Sequence, residues 1–175
     1  MNHLVHSVRR LARRFATPLA ALLVAGSITA QTASFTRIGT GCGAAPPPLL
    51  NSRDVPRIGA SFTITYTGPN SQTPVSMDIP VLLTGTQQVS VTIPQFSSIQ
   101  PTNCILYTIP IFADVMPWMG TRYQDTVTYQ IPNDRNLLGA NVYQQFVGVY
   151  FNCRTTPCQM QMLRTTNGGA LVIGL

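Results

Sequence analysis

Phe62-Thr63-Ile64-Thr65-Tyr66 sets an apolar side chain at every second position, with threonines between, and runs into the turn-forming Gly68-Pro69-Asn70. Period two puts Phe62, Ile64 and Tyr66 on one face of an extended strand and the threonines on the other. The same alternation returns in Val89-Ser90-Val91-Thr92-Ile93, which stops at Pro94, and in Thr126-Val127-Thr128-Tyr129-Gln130-Ile131, which stops at Pro132. Val142 to Phe151 predicts a long aromatic strand, Gln159 to Thr165 another and Ala170 to Leu175 the last. Val75 to Leu83 is a mostly apolar strand broken by Pro80. Cys104 to Ala113 is one long apolar run whose Pro110 implies an edge strand or a bulge. Asn133 to Gly139 predicts one helical turn, capped by Asn or Asp and ended by Gly.

About eight or nine short strands at this turn spacing predict an all-β fold, an antiparallel two-sheet sandwich rather than alternating α/β units. Residues 31–175 are enough chain to bury a two-sheet core and are read as a single domain. Ala44-Ala45-Pro46-Pro47-Pro48 is the one rigid irregular stretch, expected to cross between sheets.

The first thirty residues read as a secretory signal peptide, 1–30. Arg9, Arg10, Arg13 and Arg14 precede the short apolar stretch Leu19 to Gly26, and Ser27 to Ala30 are small enough to precede a cleavage site. The apolar run falls short of the roughly 20 residues of a spanning helix, so no membrane span is expected after its removal. Ser7-Val8-Arg9-Arg10-Leu11 misses a twin-arginine spacing by one residue, which favours general secretion.

The leader also carries much of the charge. The chain has 11 basic and 5 acidic side chains, all Arg and all Asp, for a formal net charge of +6. Removing four Arg with the leader leaves seven against five Asp, a net +2, with no basic run. A nucleic-acid partner is therefore not expected. Both histidines, His3 and His6, leave with it, and there is no Lys or Glu anywhere. That excludes a His base, a His-paired nucleophile, a His-ligated metal and a Schiff-base lysine from residues 31–175. No cofactor is expected.

Four cysteines, Cys42, Cys104, Cys153 and Cys158, follow the leader, and an even count in an exported chain predicts two disulfides. Cys153-Arg-Thr-Thr-Pro-Cys158 reads as a hairpin with its ends clipped, which leaves Cys42 to Cys104 as the long bridge. Loop entropy assigns about 4 kcal/mol to the long bridge and about 2 kcal/mol to the short one. Zinc is the poorer reading of these cysteines without His.

Several stretches together resemble a small secreted domain recurrent in planctomycete proteins. They are Phe35-Thr36-Arg37-Ile38-Gly39-Thr40-Gly41-Cys42, Pro56-Arg57-Ile58-Gly59-Ala60-Ser61-Phe62, and Cys104 with its apolar run to Asp114. Ile131-Pro132-Asn133-Asp134 through Leu138-Gly139 to Tyr143-Gln144-Gln145, and Thr166-Asn167-Gly168-Gly169 before Val172-Ile173-Gly174, complete the match. The resemblance implies a β-sandwich-like fold and export, and it supplies no catalytic residue. The chain departs from the pattern at Asn152 to Pro157, where a second cysteine pair intervenes.

Five Asp are the ordinary acid–base groups left: Asp54, Asp78, Asp114, Asp125 and Asp134. Asp54 and Asp134 sit in turn and cap contexts. Asp114 and Asp125 flank the loop Val115 to Gln124, where they could face each other as a hydrolytic carboxylate pair or pair with Arg122. The same loop holds the single tryptophan, in Met116-Pro117-Trp118-Met119-Gly120-Thr121-Arg122-Tyr123. An aromatic platform beside Asp and Arg is one way to hold a sugar ring, and a plug over the core mouth is the other reading of Trp118. The remaining aromatics, Tyr143, Phe146, Tyr150 and Phe151, and the pair Met160 and Met162 on one strand face, read as packing.

Together these readings predict an exported, disulfide-stapled, non-enzymatic β-sandwich with a structural or adhesive role, its partner a cell-surface polysaccharide or protein. A carbohydrate-binding module centred on Trp118 and Tyr123, with Asp114, Arg122 and Asp125, is the alternative, and an Asp-dependent hydrolase the third.

Trp118→Ala separates plug from platform. A plug loses about 3–5 kcal/mol of stability, as large core truncations do. A platform stays within about 1 kcal/mol and loses glycan binding. Thermal melting and a glycan array read the two outcomes.

Overall fold

The computed structural model describes residues 31–68, 76–94, 103–116, 124–154 and 156–175. The leader expected at 1–30, and Trp118, Arg122 and Tyr123, lie outside them. Among the described residues the fold is all-β, with eleven strands and one short 3-10 turn, and every named strand pair is antiparallel.

One sheet runs β1 (Ser34–Ile38), β11 (Gly168–Val172), β9 (Asn141–Asn152), β4 (Ser76–Gly85) and β7 (Phe112–Val115). β10 (Gln159–Thr165) also pairs with β9, along its second half. The second sheet is β2 (Leu49–Ser52), β3 (Ser61–Thr67) and β8 (Gln124–Gln130). A two-stranded ribbon, β5 (Gln87–Ile93) with β6 (Cys104–Ile109), completes the described strands.

The alternation that marks β3 puts Phe62, Ile64 and Tyr66 inward, each at most 1% exposed. They meet Leu82, Phe146 and Leu171 of the larger sheet, and the rings of Tyr66 and Phe146 pack edge to face with centroids 5.2 Å apart. This is the sandwich core. Its burial is the dominant favourable term, at roughly 25 cal/mol per Å2 of apolar surface.

Phe146 faces that core, so its neighbour Gln145 points to the opposite face of the same sheet. There the ribbon crosses. The Gln145 carboxamide oxygen accepts from the Tyr107 N–H at 2.9 Å, and its nitrogen donates to the Ile105 and Thr166 carbonyls, both at 2.8 Å. Two glycines let β6 come close. A Cβ at Gly168 would stand 2.8 Å from that of Tyr107, and one at Gly85 would collide with the Ile109 carbonyl.

β10 and β11 run in succession along one side of β9, separated at Thr166-Asn167. Pairing shifts by one residue across the break, from Thr165 opposite Val147 to Gly169 opposite Gln144. The Thr166 hydroxyl and its own backbone N–H together bridge the break. Phe146 N–H donates to the Thr166 hydroxyl at 3.1 Å, and Thr166 N–H to the Phe146 carbonyl at 3.0 Å. Asn167 turns to the other sheet: its oxygen accepts from Leu50 N–H and its nitrogen donates to the Leu50 carbonyl, both at 3.0 Å. The carboxamide thus reproduces a backbone ladder pair across the sandwich.

Both predicted disulfides are present, Cys42–Cys104 with Cα atoms 5.4 Å apart and Cys153–Cys158 at 4.2 Å. The first ties the start of β6 to the segment after β1, where Cys42 also exchanges backbone hydrogen bonds with Thr165. Residues 44–48 lead from β1 in one sheet to β2 in the other, as expected of the proline stretch. The predicted helical turn is the 3-10 turn Arg135–Leu137, with the Asp134 carboxylate accepting from Asn136 N–H at 2.9 Å.

Three local readings are corrected. β1 and β2 are strands that carry too little alternation to announce themselves. The run Cys104 to Ala113 is two strands, because Pro110 interrupts it and the chain leaves the ribbon to join the edge of the larger sheet as β7. Met160 and Met162 do not share a face: the register shifts between them, so Met160 stands opposite Phe151 and Met162 opposite Tyr150, neighbours that point to opposite sides of β9. Met160 is 49% exposed.

Replacing Gln145 with Leu leaves the Tyr107 N–H and two carbonyls buried without that partner, at about 1–3 kcal/mol for each buried group. Urea unfolding of Gln145→Leu is expected to show a loss of at least about 3 kcal/mol, and Asn167→Ala a loss of similar size. Thr63→Val, half-buried on the outer face of β3, is expected to lose no more than about 1 kcal/mol with its one hydrogen bond to Thr128.

Candidate functional site

Only Asp114 and Asp125 of the predicted loop site fall among the described residues. Trp118, Arg122 and Tyr123 lie outside the described residues. Asp114 is exposed on β7, an edge strand of the larger sheet, opposite Leu82. Asp125 is half-buried on β8, an edge of the three-stranded sheet, opposite Tyr66, and its carboxylate accepts from Thr126 N–H at 2.7 Å. The two carboxylates therefore stand on different sheets, and the acid that bears on a buried group is Asp114. Its charge acts on Tyr129 of β8, whose hydroxyl is pushed up to about 12, by burial first and then by Asp114. Gln144 and Thr84 face that hydroxyl and oppose the shift, although no bond of good geometry forms.

The most heavily buried charges were not among the expected site residues. Asp78 on β4 and Arg164 on β10 are 4% and 5% exposed and form an ion pair of 3.3 Å. The same carboxylate oxygen accepts from the Tyr66 hydroxyl at 3.1 Å. The Arg164 guanidinium lies 4.0 Å from the centre of the Tyr150 ring, within cation–π range. Asp78 Oδ1 and Arg164 Nε have no hydrogen-bond partner among the described residues. Burial pushes the Asp78 carboxyl above the usual carboxylate range, against the pull of Arg164 and the bonds from Tyr66 and Arg164. The Tyr66 hydroxyl is raised too, by burial first and then by Asp78.

The cue was a lone charge inside an apolar strand, in Met77-Asp78-Ile79 and in Met162-Leu163-Arg164, since an ion is rarely left buried without its opposite. Arg164 is thus a core ion and not one of the exposed arginines. The cluster joins β3, β4, β9 and β10 and is closed to solvent, which suits a structural tie.

Open hollows lie elsewhere. One of about 190 Å3 opens between β8 and the larger sheet, with Ile131, Val142, Leu171 and Ile173 on its walls. A larger groove of about 470 Å3 lies at the Gln130 end of β8, lined by Phe35, Ser52, Arg53, Asp54, Arg57 and Ser61 among others. Arg53, Asp54 and Arg57 are exposed. The Asp78–Arg164 pair is the one salt bridge among the described residues, so these three charges have no ionic partner there.

The groove is held by backbone bonds. The Ser52 hydroxyl accepts from Asp54 N–H at 3.2 Å and shares its proton between the Asp54 and Thr63 carbonyls at 2.7 and 2.8 Å. Ile58 N–H donates to the Gly174 carbonyl and Gly174 N–H to that of Pro56, both at 3.0 Å. Gly59, at φ 71°, turns the chain so that its N–H reaches the Ile131 carbonyl at 3.0 Å. Among the described residues, no group of three or more His, Cys, Asp or Glu could hold a metal ion, and no helix is long and apolar enough to cross a membrane. Compared with known protein families, curated proteins and solved structures, the chain matches none.

Asp78→Ala or Arg164→Ala alone is expected to cost about 3–5 kcal/mol, because each leaves a buried charge without its partner. The double change Asp78→Leu with Arg164→Met is expected to lie close to wild type, with chemical denaturation as the readout. The raised carboxyl also sets a pH sign. Its contribution is full below the unfolded value of about 3.9 and is lost as pH rises through the higher folded value. Asp78→Asn should therefore remove a falling limb from the stability–pH curve on the alkaline side of pH 4.

Proposed function

We propose that the protein is an exported, non-enzymatic interaction module with a structural or adhesive role at the cell surface or in the extracellular medium. The observation that carries this reading is the pair of disulfides in an all-β chain. Such bridges persist in oxidising compartments, and an extracellular or periplasmic location is consistent with them. The leader reading of residues 1–30 supports export, and the resemblance to a small secreted planctomycete domain agrees with it.

The non-enzymatic part rests on chemistry. Residues 31–175 contain no His, Lys or Glu, and Asp78 is buried against Arg164. What the fold offers a partner is surface: rigid loops and strand edges on a stapled frame. The partner is a cell-surface polymer, polysaccharide or protein, and not a nucleic acid.

Expression of the full chain in a secreting bacterial host tests this. The expected product lies outside the cytoplasm, begins near residue 31 and reacts with no thiol reagent until it is reduced. A reduced, full-length cytoplasmic product would overturn the reading.

A further inference from the structure

We infer that the groove between Arg53 and Arg57 binds a carboxylated sugar, a uronic acid within a surface polysaccharide. This rests on the reading of the protein as an interaction module and names its ligand class. The groove is the larger of the two hollows described above, and its volume of about 470 Å3 falls within the roughly 300–1,000 Å3 of small-ligand sites.

Three features select the ligand. The first is charge. Arg53 and Arg57 are exposed, lack carboxylate partners among the described residues and line the same groove. A guanidinium binds a carboxylate through two parallel N–H···O bonds, so an anionic group is the natural occupant.

The second is the Asp54 carboxylate in the same lining. It opposes densely charged anions such as phosphate or sulfate esters and, being acceptor-only, requires donors. Sugar hydroxyls are such donors, and the Ser61 hydroxyl adds a group that donates and accepts. One carboxylate beside several hydroxyls is the chemistry of a uronate.

The third is Phe35. It is half-buried, with its ring 6.4 Å from that of Phe62 in the core, and it also lines the groove. An anchored aromatic surface offers a contact for the C–H face of a pyranose ring. The Ser52 hydroxyl bonds and the backbone bonds of Pro56–Gly59 hold the arginine-bearing β2–β3 loop before any ligand arrives, which lowers the ordering cost of binding.

Calorimetric titration of the purified protein with hexagalacturonate tests this, with a neutral galactose hexamer, poly-aspartate and dextran sulfate as comparison probes. Hexagalacturonate is expected to bind and the neutral hexamer to bind at least tenfold more weakly. Arg53→Ala with Arg57→Ala should weaken hexagalacturonate at least tenfold at an unchanged melting temperature. Arg53→Lys should recover only part of that loss, since Lys keeps the charge but not the fork. Arg135→Ala, on the 3-10 turn, should change nothing. Asp54→Asn should raise the affinity for dextran sulfate.

Absence of hexagalacturonate binding would overturn the assignment, as would an equal loss in Arg135→Ala. Poly-aspartate binding as tightly as hexagalacturonate would overturn it in favour of an acidic peptide, and tighter dextran sulfate binding by the wild type in favour of a sulfated polymer. Failure here leaves the export test untouched, because that test reads location and thiol state and not affinity.

Discussion

A single carboxamide, that of Gln145, holds the layers in register. It is fully buried and makes three hydrogen bonds, two to backbone groups of β6 and one to the break between β10 and β11. Its backbone belongs to β9, the strand that pairs with β4 on one side and with β10 and β11 on the other. A buried amide left unpaired is costly, so this position admits only an arrangement in which β6 lies across the sheet at Tyr107 and Ile105. Asn167 does the equivalent on the other face, joining Leu50 of the three-stranded sheet. Apolar burial supplies most of the driving force, but apolar contacts are not directional. The two carboxamides are directional, and they decide how the layers sit.

The buried ion pair acts in the same region of the fold with a different balance. Asp78 and Arg164 are 86 residues apart in sequence and meet through β9, which lies between their strands. A Cβ at residue 148 of β9 would stand 2.7 Å from Asp78 Oδ1, so the glycine there keeps room for the carboxylate. Tyr66 and Tyr150 enclose the pair with one hydrogen bond and one ring face. Desolvation of two ions offsets much of their attraction, so the pair contributes specificity of pairing more than net stability.

The disulfides reinforce places where the ladder is weakest. Cys42–Cys104 anchors the ribbon, which is paired on one side only and lies over the sheet instead of within it. Cys153–Cys158 closes the turn between β9 and β10, beside the bulge that separates Met160 from Met162. With the frame secured this way, the β2–β3 loop that carries Arg53 and Arg57 projects from fixed backbone. That suits recognition of an extended polymer, where each contact is weak and geometry must be maintained along the chain.

Strand identity was legible in the sequence wherever alternation ran for five residues or more, as in Phe62 to Tyr66 and Thr126 to Ile131, because period two is a local property of the extended backbone. The cysteine pairing was legible too, since a short clip leaves one long bridge. β1 and β2 were not, because their short runs become strands only by pairing, β1 with the distant β11 and β2 with the next strand, β3. The split at Pro110 was half legible: proline forbids a ladder bond there, but only packing sends β7 to a different sheet. Asp78 and Arg164 stand out in sequence only as lone charges in strands, and Gln145 and Asn167 read as ordinary polar residues. Burial and partners tens of residues away give them their roles, and the groove at Arg53 and Arg57 forms only where the β2–β3 loop meets the start of β1. Local periodicity fixes which residues extend. The satisfaction of buried polar groups, a condition on the whole chain at once, decides which of them meet.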